Sequence, residues 1–87
     1  MCEGCGRGDV ALSHSHILSR HHRPDLMCDK RNIRLHCFGF TGNCHQKWEN
    51  FVPEQVTQML DFVDNMEYIA QADPKIFQRM YARLEYN

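Results

Sequence analysis

The chain has 87 residues and a formal net charge of -1, which fits one small domain. At this length a hydrophobic core alone is a marginal source of stability, so the five cysteines and six histidines point to a metal as additional support. No apolar run approaches the roughly 20 residues of a membrane-spanning helix, which argues against a membrane-embedded protein. The opening Met1-Cys2-Glu3 lacks the pattern of a secretory signal. We therefore expect a cytoplasmic, reducing environment.

Charge is distributed unevenly along the chain. Residues 1–52 carry seven Lys and Arg against five Asp and Glu and contain all six histidines, whereas residues 53–87 carry three Lys and Arg against six Asp and Glu. A surface that binds nucleic acid is usually positively charged. We therefore expect any phosphate-binding surface to lie in the first part of the chain.

Four of the five cysteines form two pairs. Cys2 and Cys5 are separated by two residues, and Cys37 and Cys44 supply a second pair. Zinc is the usual metal for cysteine clusters of this kind, and in a reducing compartment paired cysteines bind metal more often than they form disulfides. Cys28 stands apart from both pairs, and simple packing accounts for it.

The first two predicted elements are β-strands. Apolar and polar side chains alternate over residues 10–18, which puts His14 and His16 on one face and Ser15 on the other. The polar, proline-containing segment that follows predicts a loop. Residues 33–37 alternate again, and we expect this second strand to pair antiparallel with the first.

Helices are predicted for the rest of the chain. Asn43 is a candidate N-cap for a helix that begins at Cys44. After Pro53, apolar residues recur at close to the helical period as far as residue 70. Asp73-Pro74 predicts a new helix, with Asp as the cap and Pro at the first helical position.

Together these elements predict a small α+β domain. Its cysteine- and histidine-containing core covers residues 1–52, and two helices over residues 53–87 pack on that core. The Met and aromatic residues of these helices fall at helical spacing, which is typical of a hydrophobic core rather than of a ligand site.

The order of these features resembles that of the HNH endonucleases, in the zinc-stabilised branch of the family. The matching motifs lie within residues 2–51 and are Cys2-x2-Cys5, His16 in Ser15-His-Ile-Leu18, Asn32 in Asn32-Ile-Arg-Leu-His-Cys37, and Cys44-His45 followed by Lys47. The combination is specific, whereas each motif alone is common. The run from Ser13 to Glu49 is most similar to small phage-type or prophage-type members. The resemblance implies a ββα-metal core of the treble-clef type.

The resemblance also implies an activity, the hydrolysis of DNA phosphodiester bonds. His16 would be the general base for the attacking water, and Asn32 would orient its ring or touch the metal. His45 would ligate a single divalent cation, commonly Mg²⁺ or Mn²⁺, although imidazole also suits Ni²⁺ and Zn²⁺. A separate, structural zinc would be held by the four paired cysteines, which are Cys2, Cys5, Cys37 and Cys44.

The same resemblance suggests the binding partners of the chain. Arg20, Arg23 and Lys47 are candidates for contacts with DNA phosphates, although basic side chains often form an ordinary solvated surface. No membrane partner is expected. The C-terminal helices are a candidate docking element for a larger phage or recombination complex.

Two features depart from the family pattern. The family usually has Asp or His immediately before the general base, but this chain has Ser15, which is a poor metal ligand, and His14 is the alternative. The spacing Cys37-x6-Cys44 is also longer than the usual gap of two residues. A non-catalytic treble-clef zinc module that binds nucleic acid or a protein partner is therefore the alternative interpretation. The choice between DNA and RNA and the oligomeric state stay open.

Overall fold

The computed structural model describes residues 1–39 and 43–85. These residues form a two-stranded sheet, four α-helices and two single 3-10 turns, which confirms the predicted α+β class. The strands are β1 (Leu12–His16) and β2 (Ile33–Cys37), the helices are α1 (Cys44–Asn50), α2 (Pro53–Val56), α3 (Phe62–Ala72) and α4 (Pro74–Glu85), and the 3-10 turns are Pro24–Leu26 and Lys30–Asn32. Part of the long loop between the second pair of cysteines lies outside the described residues.

The two strands pair antiparallel, as predicted, with His16 opposite Ile33. β1 is shorter than the predicted strand because the chain leaves the sheet after His16. There the side-chain amide of Asn32 replaces a strand partner: it accepts from Leu18 N at 2.6 Å and donates to Leu18 O at 3.0 Å. The predicted alternation within β1 is observed, since Ser15 is fully buried between two less buried neighbours.

A cluster of buried apolar side chains joins the end of β1 to the helices. The indole Nε1 of Trp48 donates to Ile17 O at 3.0 Å, and its ring packs edge-to-face on Phe51 with centroids 5.4 Å apart. Full burial of an aromatic or aliphatic side chain contributes about 1.5–3 kcal/mol. These contacts fix α1 across the end of β1, which positions the helix that carries His45.

The predicted helix after Pro53 is interrupted. It separates into α2 and α3, since the chain between them turns to meet distant residues. Leu60 N donates to Gly4 O at 2.7 Å, and the carboxylate of Asp61 contacts His36 Nε2 at 2.8 Å. These two long-range contacts end the helical run that the apolar period predicts.

The second predicted helix begins where the sequence indicated. Asp73 caps it, because its Oδ1 accepts from Ile76 N at 3.1 Å and Pro74 occupies the first helical position. α4 packs against α3. Within residues 1–39 and 43–85, no helix combines the length and apolarity that crossing a membrane requires.

Candidate functional site

Four cysteine sulfurs converge at one point of the fold. The Sγ atoms of Cys2, Cys5, Cys37 and Cys44 all lie within 4.8 Å of one another, and those of Cys5 and Cys37 are 3.8 Å apart. Four sulfurs placed tetrahedrally about 2.3 Å from a zinc ion would be about 3.8 Å apart. The predicted gathering of these cysteines is confirmed, and their donor set fits a metal ion such as zinc.

The backbone around the cysteine cluster is shaped for thiolates. Cys37 N and Cys44 N point at the sulfurs of Cys2 and Cys37, at 3.3 and 3.5 Å. Burial raises the pKa of the Cys2 thiol, but backbone N–H groups around its sulfur outweigh burial and lower that pKa to about 6. Burial and the neighbouring sulfurs raise the pKa of Cys44. A bound dication would favour the thiolate form of all four.

The lack of a side chain at Gly4 allows the segment that carries Cys2 and Cys5 to pack closely against Cys44. A Cβ atom at this position would lie 3.0 Å from Cys44 Sγ and 2.9 Å from Met59 Cε. Any larger residue would therefore crowd Met59 and Cys44 and require both to shift. Cys28 takes no part in the cluster, as its separate position in the sequence indicated. It is exposed, so the expectation that it packs in the apolar interior is wrong.

A second site is an open cleft of about 650 Å³ beside β1 and α1. Five of the six histidines of the chain contribute to it. Its lining residues are His14, His16, Ser19, Arg20, His21, His22, His45 and Glu49. The structure therefore brings together His16 and His45, which lie on different elements, and places His14 in the same cleft. We call it the histidine cleft.

The His16 ring is held by one hydrogen bond. Its Nε2 lies 2.9 Å from the carbonyl oxygen of Met27. A carbonyl only accepts, so Nε2 must carry the proton. In the neutral ring the unprotonated nitrogen is then Nδ1, which is the atom able to take a proton from water.

His45 is held on both sides. Its Nδ1 lies 2.6 Å from Ser13 Oγ, and its Nε2 lies 3.0 Å from Glu49 Oε1. Two neighbouring ligands of an octahedral cation, each about 2.1 Å from it, are also about 3.0 Å apart. The separation suits either a hydrogen bond or shared ligation of a cation. The sequence analysis missed Glu49, although its position four residues after His45 puts it on the same helix face.

The positions of Asn32 and Ser15 do not match the roles that the sequence analysis considered for them. Asn32 is buried, and its amide bonds the backbone of Leu18 and Leu26 rather than the His16 ring. It therefore fixes the segment that follows His16. Ser15 is fully buried and does not line the histidine cleft, so of the two candidates only His14 lies in the cleft.

The structure also contains a buried polar pair that the sequence did not reveal. His36 is fully buried, and its Nε2 lies 2.8 Å from Asp61 Oδ2. Burial raises the pKa of the Asp61 carboxyl, but the opposing interactions, of which the hydrogen bond from His36 is the largest, together outweigh burial and lower that pKa. The alternation in β2 does not predict this pair, because the apolar Leu35 is exposed whereas the polar His36 next to it is buried.

The three predicted phosphate ligands lie in different places. Arg20 is exposed and lines the histidine cleft. Arg23 instead forms ion pairs with Asp25 at 2.7 Å and Asp73 at 2.9 Å, which tie the first loop to the start of α4. Lys47 lies beside the cysteine cluster, on a surface that includes Cys5. Of the three, the structure places Arg20 at the cleft.

Comparisons with protein-family models, curated proteins and solved structures found no match. Within residues 1–39 and 43–85, the four cysteines are the one group of three or more His, Cys, Asp or Glu side chains with converging ligand atoms. Converging ligand atoms therefore support metal binding at the cysteines. The chemistry of the histidine cleft depends on its individual residues.

Proposed function

We propose that the chain is a metal-dependent endonuclease of the HNH type that hydrolyses DNA phosphodiester bonds. The observation that carries the proposal is the histidine cleft itself. There His16, whose Nε2 donates to Met27 O, lines the same cleft as His45 on the first turns of α1. The order β1, β2, α1 with a four-cysteine cluster supports a treble-clef core.

The first chemical role belongs to His16. Its Nδ1 accepts a proton from the water that attacks the scissile phosphorus, which makes the water a better nucleophile. The resulting imidazolium keeps its Nε2–H bond to Met27 O, and the carbonyl dipole stabilises the new positive charge. Asn32 contributes indirectly, because it holds the backbone just after His16 in place.

His45 and Glu49 are the residues that would hold the catalytic cation, and His14 is the further candidate ligand in the same cleft. Bound there, the cation would neutralise charge on the scissile phosphate and stabilise the leaving oxygen. An imidazole and a carboxylate suit Mn²⁺, Ni²⁺ or Zn²⁺ as well as Mg²⁺. The zinc in the cysteine cluster has the separate role of stabilising the fold.

Nicking of supercoiled plasmid by the zinc-loaded protein with Mg²⁺ or Mn²⁺ tests this proposal. His16→Ala is expected to lower the rate by about 10²- to 10⁴-fold, the usual contribution of general base catalysis. The zinc content and melting temperature should stay as in the wild type. His21→Ala removes another exposed imidazole from the cleft and serves as the matched control, with an expected change below about threefold. Equal activity of the wild type and His16→Ala would contradict the assignment.

The second candidate function is a non-catalytic zinc module that binds nucleic acid or a protein partner. The observation in its favour is that, among the described residues, no third ligand atom converges with those of His45 and Glu49. Such a module would bind DNA or a protein without nicking in any divalent cation. The plasmid assay therefore separates the two functions.

A further inference from the structure

A row of basic residues follows one side of α4. Lys75, Arg79 and Arg83 are exposed and are spaced four residues apart, so they lie along one helix face. The only acidic residue within Pro74–Glu85 is its last one. The net negative charge of residues 53–87 therefore conceals a locally basic surface, which the sequence analysis did not assign to a function.

Two of these cations reach a second cleft, of about 240 Å³, that adjoins the histidine cleft. Arg79 and Arg83 form one side of it, whereas Lys75 does not line it. His16, Ser19, His22 and Glu49 line both clefts, so the two are adjacent. The guanidinium groups of α4 are thus neighbours of the proposed general base.

The two arginines differ in how firmly they are held. Arg83 donates to Asn50 O at 3.3 Å, and its guanidinium lies 5.4 Å from the centre of the Phe51 ring. Arg79 forms no ion pair with any of residues 1–39 and 43–85. Arg79 can therefore bind an external anion without losing an internal partner.

We propose that Arg79 and Arg83 form a phosphate-binding subsite for the nucleic-acid backbone next to the scissile position. This inference rests on the proposed nuclease function, because it takes a nucleic acid as the occupant of the histidine cleft. A guanidinium presents paired N–H donors that match two phosphate oxygens. The strand bound at His16 would continue across the adjoining cleft to α4. The C-terminal helices would then bind substrate as well as support the core.

Binding by a full-length His16→Ala protein, in which cutting of the ligand should be about 10²- to 10⁴-fold slower, tests the subsite. The probe is a fluorescein-labelled 20-base-pair DNA duplex, with Mg²⁺ present and anisotropy as the signal. Arg79→Gln in this background is expected to weaken binding about 5- to 20-fold and to reduce the slope of log K against log salt by about 0.9. Lys75→Gln removes the same charge from the same helix outside the cleft, and we expect less than a twofold change.

Equal effects of Arg79→Gln and Lys75→Gln, or no effect of either, would overturn the subsite. The same two changes in the otherwise wild-type protein give a second measurement, in which Arg79→Gln should raise KM for nicking more than it lowers kcat. If the wild type nicks DNA but neither binding nor KM depends on Arg79, the subsite is overturned and the nuclease proposal is retained. Absence of nicking with Arg79-dependent binding would overturn the nuclease proposal and support the subsite as a nucleic-acid contact.

Discussion

The cysteine cluster and the histidine cleft each use one β-strand and α1 together with residues outside these elements, yet they are organised in opposite ways. In the cluster, four sulfurs lie within 4.8 Å of one another, and three of the four cysteines are buried. In the cleft, five histidines line about 650 Å³ of open space, and His45 Nε2 lies 3.0 Å from Glu49 Oε1.

Under the proposed function, the cluster would stabilise the fold and the cleft would admit a substrate. A structural zinc site uses all four positions for protein ligands, whereas a catalytic cation keeps positions open for water and substrate. The fold can complete the first site alone. The second, as proposed, would be complete only with a cation and a phosphate bound.

Loss of a cysteine ligand should have the largest effect. Cys37→Ser removes a buried ligand that links β2 to α1, and structural zinc contributes about 10–16 kcal/mol to the folding of small domains. We expect loss of bound zinc and of the cooperative unfolding transition, measured by metal analysis and circular dichroism. Cys28→Ser, at an exposed cysteine outside the cluster, should change stability by less than about 0.5 kcal/mol. A folded, zinc-free Cys37→Ser protein would contradict this account of the cluster.

Loss of a cleft ligand should leave the fold unchanged and remove activity. His45→Ala and Glu49→Gln are each expected to lower plasmid nicking by about 100-fold, because a cation in the active site contributes several kcal/mol to transition-state stabilisation. Zinc content should stay at the wild-type level. Gln46→Ala, an exposed neighbour on the same helix, is the control. Retention of activity in His45→Ala would show that the cation lies elsewhere.

The buried pair beside the cluster should contribute a smaller, pH-dependent stabilisation. Asp61→Asn leaves His36 without its carboxylate partner, and we expect a loss of about 1–3 kcal/mol in the free energy of unfolding near neutral pH. Because the folded-state pKa of Asp61 is lowered, its stabilisation is present above the ordinary carboxyl pKa and decreases as the pH falls toward the lower folded value.

Urea unfolding of the wild type and of Asp61→Asn at several pH values measures this contribution. The difference between them should be constant near neutral pH and should shrink below about pH 4. Both proteins carry the same cysteines, so acid release of zinc affects them alike. A difference that grew toward low pH would contradict the assigned direction.

The smallest effects on stability and DNA binding are expected from substitutions of the two arginines in the first loop. Arg23 is engaged by Asp25 and Asp73, so Arg23→Gln should lower the melting temperature slightly and leave DNA binding unchanged. Arg20 lines the cleft, so Arg20→Gln should weaken binding in the anisotropy assay and leave the melting temperature unchanged. The opposite pattern would show that the ion pairs of Arg23 open when DNA binds.

Local sequence signals predict much of this fold. Alternation gives the strand pair, Asp73-Pro74 gives the start of α4, and the cysteine spacing identifies the cluster. The histidines at the cleft follow from the resemblance to a known motif order. These features are encoded by residues close together in the sequence or by a short motif.

The features that the sequence did not predict depend on distant contacts. The break before α3 requires Gly4 and His36, which precede Leu60 and Asp61 by many residues. The engagement of Arg23 requires a carboxylate 50 residues away. No local period encodes such pairs, so the interrupted helix and the ion pair between Arg23 and Asp73 become visible only in three dimensions.

The central claim is that two metal sites with separate roles exist in one small domain. The most direct measurement is mild EDTA treatment, followed by zinc analysis and plasmid nicking with and without added Mn²⁺ or Mg²⁺. We expect one zinc per chain to remain, nicking to be lost, and added cation to restore it without a change in circular dichroism. Simultaneous loss of zinc and activity, or nicking that persists without added cation, would contradict the claim.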